Sequence, residues 1–300
     1  MEKIWVRTVK INQEVADQLA KDLNVTKLLA TLLIRRGIDS YDKAHKFFRP
    51  DLSMLHDPFL MQDMDKAIKR IEQAIGNGEK ILIYGDYDVD GTTAVSLVYS
   101  FFIKYHLHIE YYIPDRNKEG YGVSMTGIDH AIENNYTLVI CLDCGIKANE
   151  TITYAKENGI DFIVCDHHLP GDDLPPAVAI LDPKRTDCSY PYDELSGCGI
   201  GFKLIQAYAQ NNDIPFKELH PFLDLAAISI ASDIVPITGE NRVLAYFGLK
   251  QINSDPRPGI KAIIEFAKTN HELSIENIVF IIGPRINAAG RIKTGMDAVE

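Results

Sequence analysis

The stretch Ile81-Leu-Ile-Tyr-Gly-Asp-Tyr-Asp-Val-Asp-Gly91 opens with apolar, strand-favouring residues and closes with three carboxylates and a glycine. Its first half reads as a buried strand over 80–85, its second half as the exit from that strand. Similar apolar runs recur at 108–113, 137–142, 162–165 and 178–181. Helical periodicity fills the gaps at 92–105, 124–134 and 147–158. In the first of these, Ala94, Val95, Val98, Phe101, Phe102 and Tyr105 make the apolar face. Buried strands alternating with helices predict an α/β fold, a mostly parallel five-stranded sheet flanked by helices. Such a sheet carries its site at the carboxyl ends of the strands.

Outward from this core, residues 1–77 read as a helical N-terminal extension. Val15, Leu19, Leu23, Leu29, Leu32 and Leu33 fall at helical spacing, and Gly76-Asn-Gly78 ends the last helix. Beyond Gly201 the pattern is helical again, punctuated by Pro236, Pro256, Pro258 and Pro284. The expected division is an extension over 1–77 and a catalytic domain over 78–300 whose C-terminal part is helical. The 300 residues are 46% hydrophobic and 24% charged, which excludes a disordered, collagenous or coiled-coil chain.

Thirty-one basic against 42 acidic residues give a net charge of −11. That argues against gripping nucleic acid through general positive charge, but allows a local basic track or a site made positive by bound metal. No apolar run approaches the ~18 residues of a membrane span, and Met1-Glu-Lys3 leads into no signal-peptide core. The five cysteines are an odd number, with Cys141, Cys144 and Cys165 in or beside apolar runs. They read as buried thiols of a reducing, cytoplasmic compartment.

If the chain stays extended past Gly85, Asp86, Asp88 and Asp90 project to one side. Carboxylates ~5 Å apart repel by about 3 kcal/mol per pair at an effective dielectric of 20. A helix N-terminus near Gly91 offsets only ~1 kcal/mol of this, so a divalent metal is expected among them. The hexamer matches the start of an EF-hand loop, but the twelfth position is Leu97 where a glutamate is needed, and a strand precedes it. Two further strand ends carry ligand-type residues. One is Leu138-Val-Ile-Cys-Leu-Asp143-Cys-Gly145, whose C-x-x-C lacks the second cysteine pair of a zinc site. The other is Asp161-Phe-Ile-Val-Cys-Asp166-His-His168, where adjacent histidines in extended chain face opposite ways, one toward metal and its neighbour toward substrate. Asp166 is then placed to orient the ligand imidazole. An apolar helical run, Ala226-Ala-Ile-Ser-Ile-Ala-Ser-Asp233, ends in another carboxylate. Asp88, Asp90, Asp143, His167 and Asp233, with Asp86 beside them, form an oxygen-rich set with imidazole that suits Mn²⁺ or Mg²⁺. Two such ions ~3.5–4 Å apart are the arrangement of two-metal phosphoester hydrolysis.

In order and spacing, Asp86-Tyr-Asp-Val-Asp-Gly91, Leu142-Asp-Cys-Gly145 and Asp166-His-His-Leu-Pro-Gly171 resemble the DHH phosphoesterase superfamily, and within it the single-strand-specific 5′→3′ DNA exonucleases. The narrower likeness is carried by Ile113-Pro-Asp-Arg-Asn-Lys-Glu-Gly-Tyr-Gly122, Leu195-Ser-Gly-Cys-Gly-Ile-Gly-Phe-Lys203 and Gly283-Pro-Arg-Ile-Asn-Ala-Ala-Gly-Arg291. The resemblance runs from about residue 79 to the end. It implies two Mn²⁺ or Mg²⁺ ions on the first strand-end aspartates, Asp143, His167 and Asp233, with catalytic work at His168, Asp143 and Asp88. Many members place a metal-binding histidine four residues before the aspartate matching Asp88; here Tyr84 stands there, so the first metal is held more weakly or Asp86 compensates.

Gly197 and Gly199 open a helical pattern whose N–H groups are candidates to cradle a phosphate. The resemblance adds Arg116, Arg285, Asn287 and Arg291 as contacts to the DNA backbone or 5′-phosphate. The implied activity is exonucleolytic hydrolysis of single-stranded DNA in repair or recombination, with a helicase or a single-strand-binding protein as further partners and no membrane. The alternatives are a phosphodiesterase of the same superfamily acting on short oligonucleotides or cyclic dinucleotides, and a non-catalytic relative that binds DNA or replication partners. Members carry a further Gly-Gly-His domain and an OB fold that this sequence does not show, so the chain is expected to be a fragment.

Overall fold

The computed structural model describes residues 11–292 and 294–300. It divides into two compact units, 1–51 and 52–300. The first ten residues of the expected extension lie outside the described part. The rest of the smaller unit is three helices, α1 (Gln13–Leu23), α2 (Lys27–Ile34) and α3 (Tyr41–Phe48). Each begins where a polar side chain takes up an orphan amide: Asn12, Thr26 and Ser40 accept from Glu14, Leu29 and Lys43. Ala16, Leu19, Ala30, Ile38 and Ala44 are buried in this unit.

The larger unit starts with two 3₁₀ turns and α4 (Met64–Asn77). Helix α4 buries Met64, Ala67, Ile68, Ile71 and Ala74 in the same core as the sheet, so packing groups it with the strands that follow. The strands are β1 (Ile81–Gly85), β2 (Ile109–Tyr112), β3 (Leu138–Leu142), β4 (Asp161–Cys165) and β5 (Ala179–Leu181). They form one parallel sheet in the order β2-β1-β3-β4-β5. Alternate residues of each strand enter different cores, because successive side chains point to opposite faces. Ile81, Ile83, Leu138, Ile140 and Ile163 meet α4, α5 (Val89–Phe102) and α8 (Gly197–Asn211). Leu82, Tyr84, Val139, Cys141, Phe162 and Val164 meet α6 (Met125–Glu133) and α7 (Asn149–Glu157). The expected α/β architecture is the observed one.

The C-terminal half is helical, as its pattern predicts: α9 (Leu223–Ser232), α10 (Gly239–Ser254), α11 (Pro258–Phe266) and the single turn α12 (Ile275–Asn277). A π-turn (Ile278–Ile282) then leads into α13 (Gly283–Ile292) and α14 (Gly295–Val299). A fully buried ion pair ties α8 to α10. Lys203 Nζ donates to Glu240 Oε1 at 3.0 Å and to the His56 carbonyl at 2.7 Å, and the Tyr190 hydroxyl donates to Glu240 Oε2 at 2.6 Å. With every charge hydrogen-bonded, the pair fixes which helices meet more than it adds net stability.

Helices α9 and α10 approach closely at Gly248, where an added Cβ would lie 2.0 Å from the Leu223 carbonyl oxygen and 2.6 Å from Ala227 Cβ. Backbone on one side and a core methyl on the other leave nothing flexible to give way. Gly248→Ala is expected to cost at least about 1–3 kcal/mol of stability, read from the urea midpoint. An unchanged midpoint would contradict this packing.

Candidate metal and phosphoester site

The chain does not stay extended after β1, and the single-sided ladder of Asp86, Asp88 and Asp90 is not formed. Asp88 is the N-cap of α5, its Oδ1 accepting the Gly91 N–H at 2.9 Å, and Asp90 lies within the first helical turn. Two causes act together. Carboxylates are favoured at a helix N-terminus, and Gly91 lets α5 fold back onto the strand exit. A Cβ there would sit 2.4 Å from the Asp86 carbonyl oxygen. The helix therefore starts three residues before the predicted 92. Asp86 remains at the strand end, fully buried, with Oδ2 lacking a hydrogen-bond partner.

Past β3, Asp143 adopts a left-handed backbone (φ 58°), and its N–H donates to the Cys165 carbonyl at 2.9 Å. Helix α8 closes on it so tightly that a Cβ at Gly197 would lie 2.7 Å from Asp143 Oδ1. Past β4, the expectation that His167 and His168 face opposite ways fails. The strand ends at Cys165, and the two rings lie together, centroids 4.6 Å apart. Asp166 orients His168 and not His167: its Oδ1 lies 2.7 Å from His168 Nδ1 and also accepts both histidine N–H groups, while Oδ2 accepts the Ile146 N–H. Asp233 is the C-cap of α9.

These exits converge. His167 Nε2 is 3.1 Å from Asp143 Oδ1, 3.6 Å from Asp233 Oδ2 and 3.7 Å from Asp90 Oδ2. Two groups of possible metal ligands result, Asp90–His167–Asp233 and Asp143–His167–His168, with ligand atoms within 4.8 Å of one another. Asp86 and Asp88 lie outside both groups.

Burial and mutual repulsion dominate the electrostatics. Burial, then the charge of Asp88, pushes Asp86 up to about 7, and burial with Asp90 and Asp88 pushes Asp233 up to about 7. Asp143 rises well above the ordinary carboxylate range for the same reasons, and Asp88 rises by burial and Asp90. Burial lowers His167, favouring the neutral imidazole that metal binding requires. Its hydrogen bond to Asp166 raises His168.

Asp143 Oδ1, Asp86 Oδ2 and His167 Nδ1 are buried without hydrogen-bond partners. Of these, Asp143 Oδ1 faces His167 Nε2, and an unpaired buried oxygen there, beside carboxyls that resist ionising together, is what a divalent cation satisfies, so the residues fit the expected ions.

Around this centre the other expected residues divide. Gly197 and Gly199 do not offer their amides to a phosphate: Gly197 N–H is taken by Asp90 Oδ2 at 2.7 Å and Gly199 N–H by Ser196 Oγ at 3.1 Å. Arg116 lies over the Tyr87 ring, 4.9 Å from its centroid. Its loop and the end of α13 line a cavity of about 290 Å³ bounded by Arg116, Asn117, Gly290 and Gly295. Arg285 donates to the Ile281 carbonyl at 2.7 Å, and Asn287 lies one half-turn further along α13. The side chain of Arg291 lies outside the described residues. Sequence reasoning missed Tyr121, whose hydroxyl is 3.4 Å from His168 Nε2. Glycines on both sides with positive φ, Gly120 and Gly122, were its available signal. Tyr84 faces this loop, not the carboxylates: its hydroxyl donates to the Gly122 carbonyl at 3.0 Å and accepts the Ser124 N–H at 3.1 Å.

Because Asp86 and Asp233 titrate near 7 when folded and near 3.9 when unfolded, the folded chain holds more protons between those values. Their contribution to stability is complete below about 4 and is lost as pH rises through about 7. Bound cation opposes this by favouring the ionised forms. The rise in melting temperature on adding Mn²⁺ should therefore be larger at pH 8 than at pH 6. Equal rises would contradict the assignment.

Comparison with known proteins agrees with this geometry. The family model described as "DHH family, N-terminal domain" matches residues 80–230. The single-stranded-DNA-specific exonuclease RecJ of Bacillus subtilis is 40% identical over 96% of this chain and 36% of its own length. RecJ of Escherichia coli is 32% identical over 93% of this chain and 50% of its own. The chain thus spans between a third and a half of these relatives. Among solved structures, RecJ of Thermus thermophilus in complex with Mn²⁺ superposes with a TM-score of 0.80 at 26% identity, covering 96% of this chain and 41% of that one. An exonuclease RecJ bound to manganese superposes with a TM-score of 0.74 at 30% identity, covering 83% and 62%. With sheet, strand-end carboxylates and histidine pair all inside a match that takes in half its length, the chain belongs to the DHH family.

Proposed function

We propose that this chain is the catalytic part of a metal-dependent phosphodiesterase that removes nucleotides from the 5′ end of single-stranded DNA in repair and recombination. The observation that carries the reading is the convergence of Asp90, Asp143, His167 and Asp233 from four separate segments onto one point. The names of the RecJ relatives supply the substrate and its single-stranded form. Cytoplasmic action beside a helicase or a single-strand-binding protein belongs to the same reading. Among the described residues no helix is long and apolar enough to cross a membrane.

Asp88, Asp90, Asp143, His167 and Asp233 would hold two Mn²⁺ or Mg²⁺ ions, with Asp86 behind them. Bound there, the ions supply Lewis-acid polarisation of a phosphoryl oxygen and an acidified water. The chain supplies the rest. Hydrogen-bonded through Nδ1 to Asp166, the His168 ring presents Nε2 beside the Tyr121 hydroxyl. The hydrogen bond to Asp166 raises His168, which favours the protonated form needed by a group that gives a proton to a leaving oxygen or holds a phosphate oxygen. Arg116, stacked on Tyr87 and bordering the polar cavity next to α13, is placed for a backbone phosphate, with Arg285, Asn287 and Arg291 on that helix as further contacts.

The decisive variant is Asp143→Asn, which keeps the shape and tolerates the left-handed backbone while removing the charge. It should abolish Mn²⁺-dependent release of nucleotides from 5′-labelled single strands, with melting behaviour retained. Persistent nucleotide release from this variant would remove the two-metal account. Dinucleotides hydrolysed in preference to long single strands would move the substrate assignment to short oligonucleotides.

A further inference from the structure

The carboxylate of Asp90 is gripped on three sides by the chain itself. Gly197 N–H donates to Oδ2 at 2.7 Å, Cys198 N–H to Oδ1 at 2.8 Å, and the Ser229 hydroxyl to Oδ1 at 2.6 Å. An ionised carboxylate offers about four lone-pair sites. Oδ1 is therefore filled, while Oδ2 keeps one site free. Oδ2 is also the oxygen that faces His167 Nε2, at 3.7 Å. Asp90 is presented to the site through a single oxygen.

Ser229 is fully buried in α9, one turn before Asp233, and its carbonyl accepts the Asp233 N–H at 2.9 Å. One residue thus contacts two members of the ligand group, the carboxylate of Asp90 through its hydroxyl and the backbone N–H of Asp233 through its carbonyl. The same hydroxyl also donates toward Ser196 Oγ at 2.6 Å, and Ser196 Oγ accepts the Gly199 N–H as cap of α8. Ser229 Oγ thus bridges the cap of α8 and the Asp90 carboxylate.

We propose that Ser229 is a positioning residue for metal binding: held between Ser196 Oγ and Asp90 Oδ1, its hydroxyl locks Asp90 as a one-oxygen ligand to the cation shared with His167 and Asp233. This rests on the two-metal reading above and adds to it which groups outside the ligand set tune the affinity. Partners that orient ligands typically change metal affinity 10–100-fold when removed. A hydroxyl that served only packing would alter melting and leave metal affinity alone.

The test is Mn²⁺ titration by calorimetry, with bound ions counted by electron paramagnetic resonance, on the wild-type chain, Ser229→Ala, Ser229→Cys and the double variant Ser196→Ala/Ser229→Ala. Ile152→Val, in the core on the opposite face of the sheet, serves as a stability control. Ser229→Ala should weaken Mn²⁺ binding by about 10–100-fold. The double variant should lose little more, because Ser196 acts through Ser229. Ser229→Cys, near in shape but a weak donor, should also lose affinity, and it carries the test if the alanine variant does not fold. Wild-type affinity in Ser229→Ala or Ser229→Cys, or an equal loss of affinity in Ile152→Val, would overturn the proposal. A wild-type chain that takes up no manganese would instead fail the metal reading itself, a result visible before any variant is compared.

Discussion

Negative charge is gathered at the strand ends beyond what the surrounding chain neutralises, and the site is organised around that excess. Asp86, Asp90 and Asp143 are buried almost completely, and Asp88 and Asp233 stand beside them. Backbone amides relieve part of the strain: the first turn of α5 serves Asp88 and the first turn of α8 serves Asp90. Each helix end is worth about a kilocalorie against repulsions several times larger. The deficit is why raised carboxyl pKa values, unpartnered buried oxygens and a neutral imidazole occur together, and why a small dication is the natural complement.

The sheet order makes the convergence possible. With β2 on one side of β1 and β3 on the other, the crossovers leave in opposite directions and open a crevice above the β1–β3 pair. Asp86 and Asp88 leave β1 into it, Asp143 leaves β3, and the histidine pair arrives from β4 next door. Helices α8 and α9 then roof the crevice, bringing a glycine-opened N-terminus and the C-cap carboxylate of Asp233.

Much of this was legible in the residues. The five strands are short apolar runs with turn residues at both ends, and each forms within a few residues of its expected span. The ligand types were visible because carboxylates and imidazoles are rare at the ends of such runs. What escaped was decided by packing across distant segments. Nothing local in Asp86-Tyr-Asp-Val-Asp-Gly91 says that Gly91 will touch the Asp86 carbonyl and pull the helix start forward to Val89. Nothing local near Ser196 says that two amides of its helix will be spent on Asp90, which removes them from phosphate binding. Tyr84 stands where many members of the family place a ligand, yet a strand residue must choose a face, and its face is the core beside α6. The π-turn at Ile278–Ile282 carried no local signal, since its apolar run reads equally well as ordinary helix.

Gly197 gives its amide to Asp90 and, through its missing side chain, makes room for Asp143. A single peptide unit of α8 therefore gauges the gap between two carboxylates that arise from different strands. The far end of that gauge is seated deep in the hydrophobic interior by Phe202, Leu204 and Ile205. The separation of those two carboxylates is then inherited from apolar packing two turns away, and an axial slip of this helix would reset both anchors at once while leaving every acidic residue in place.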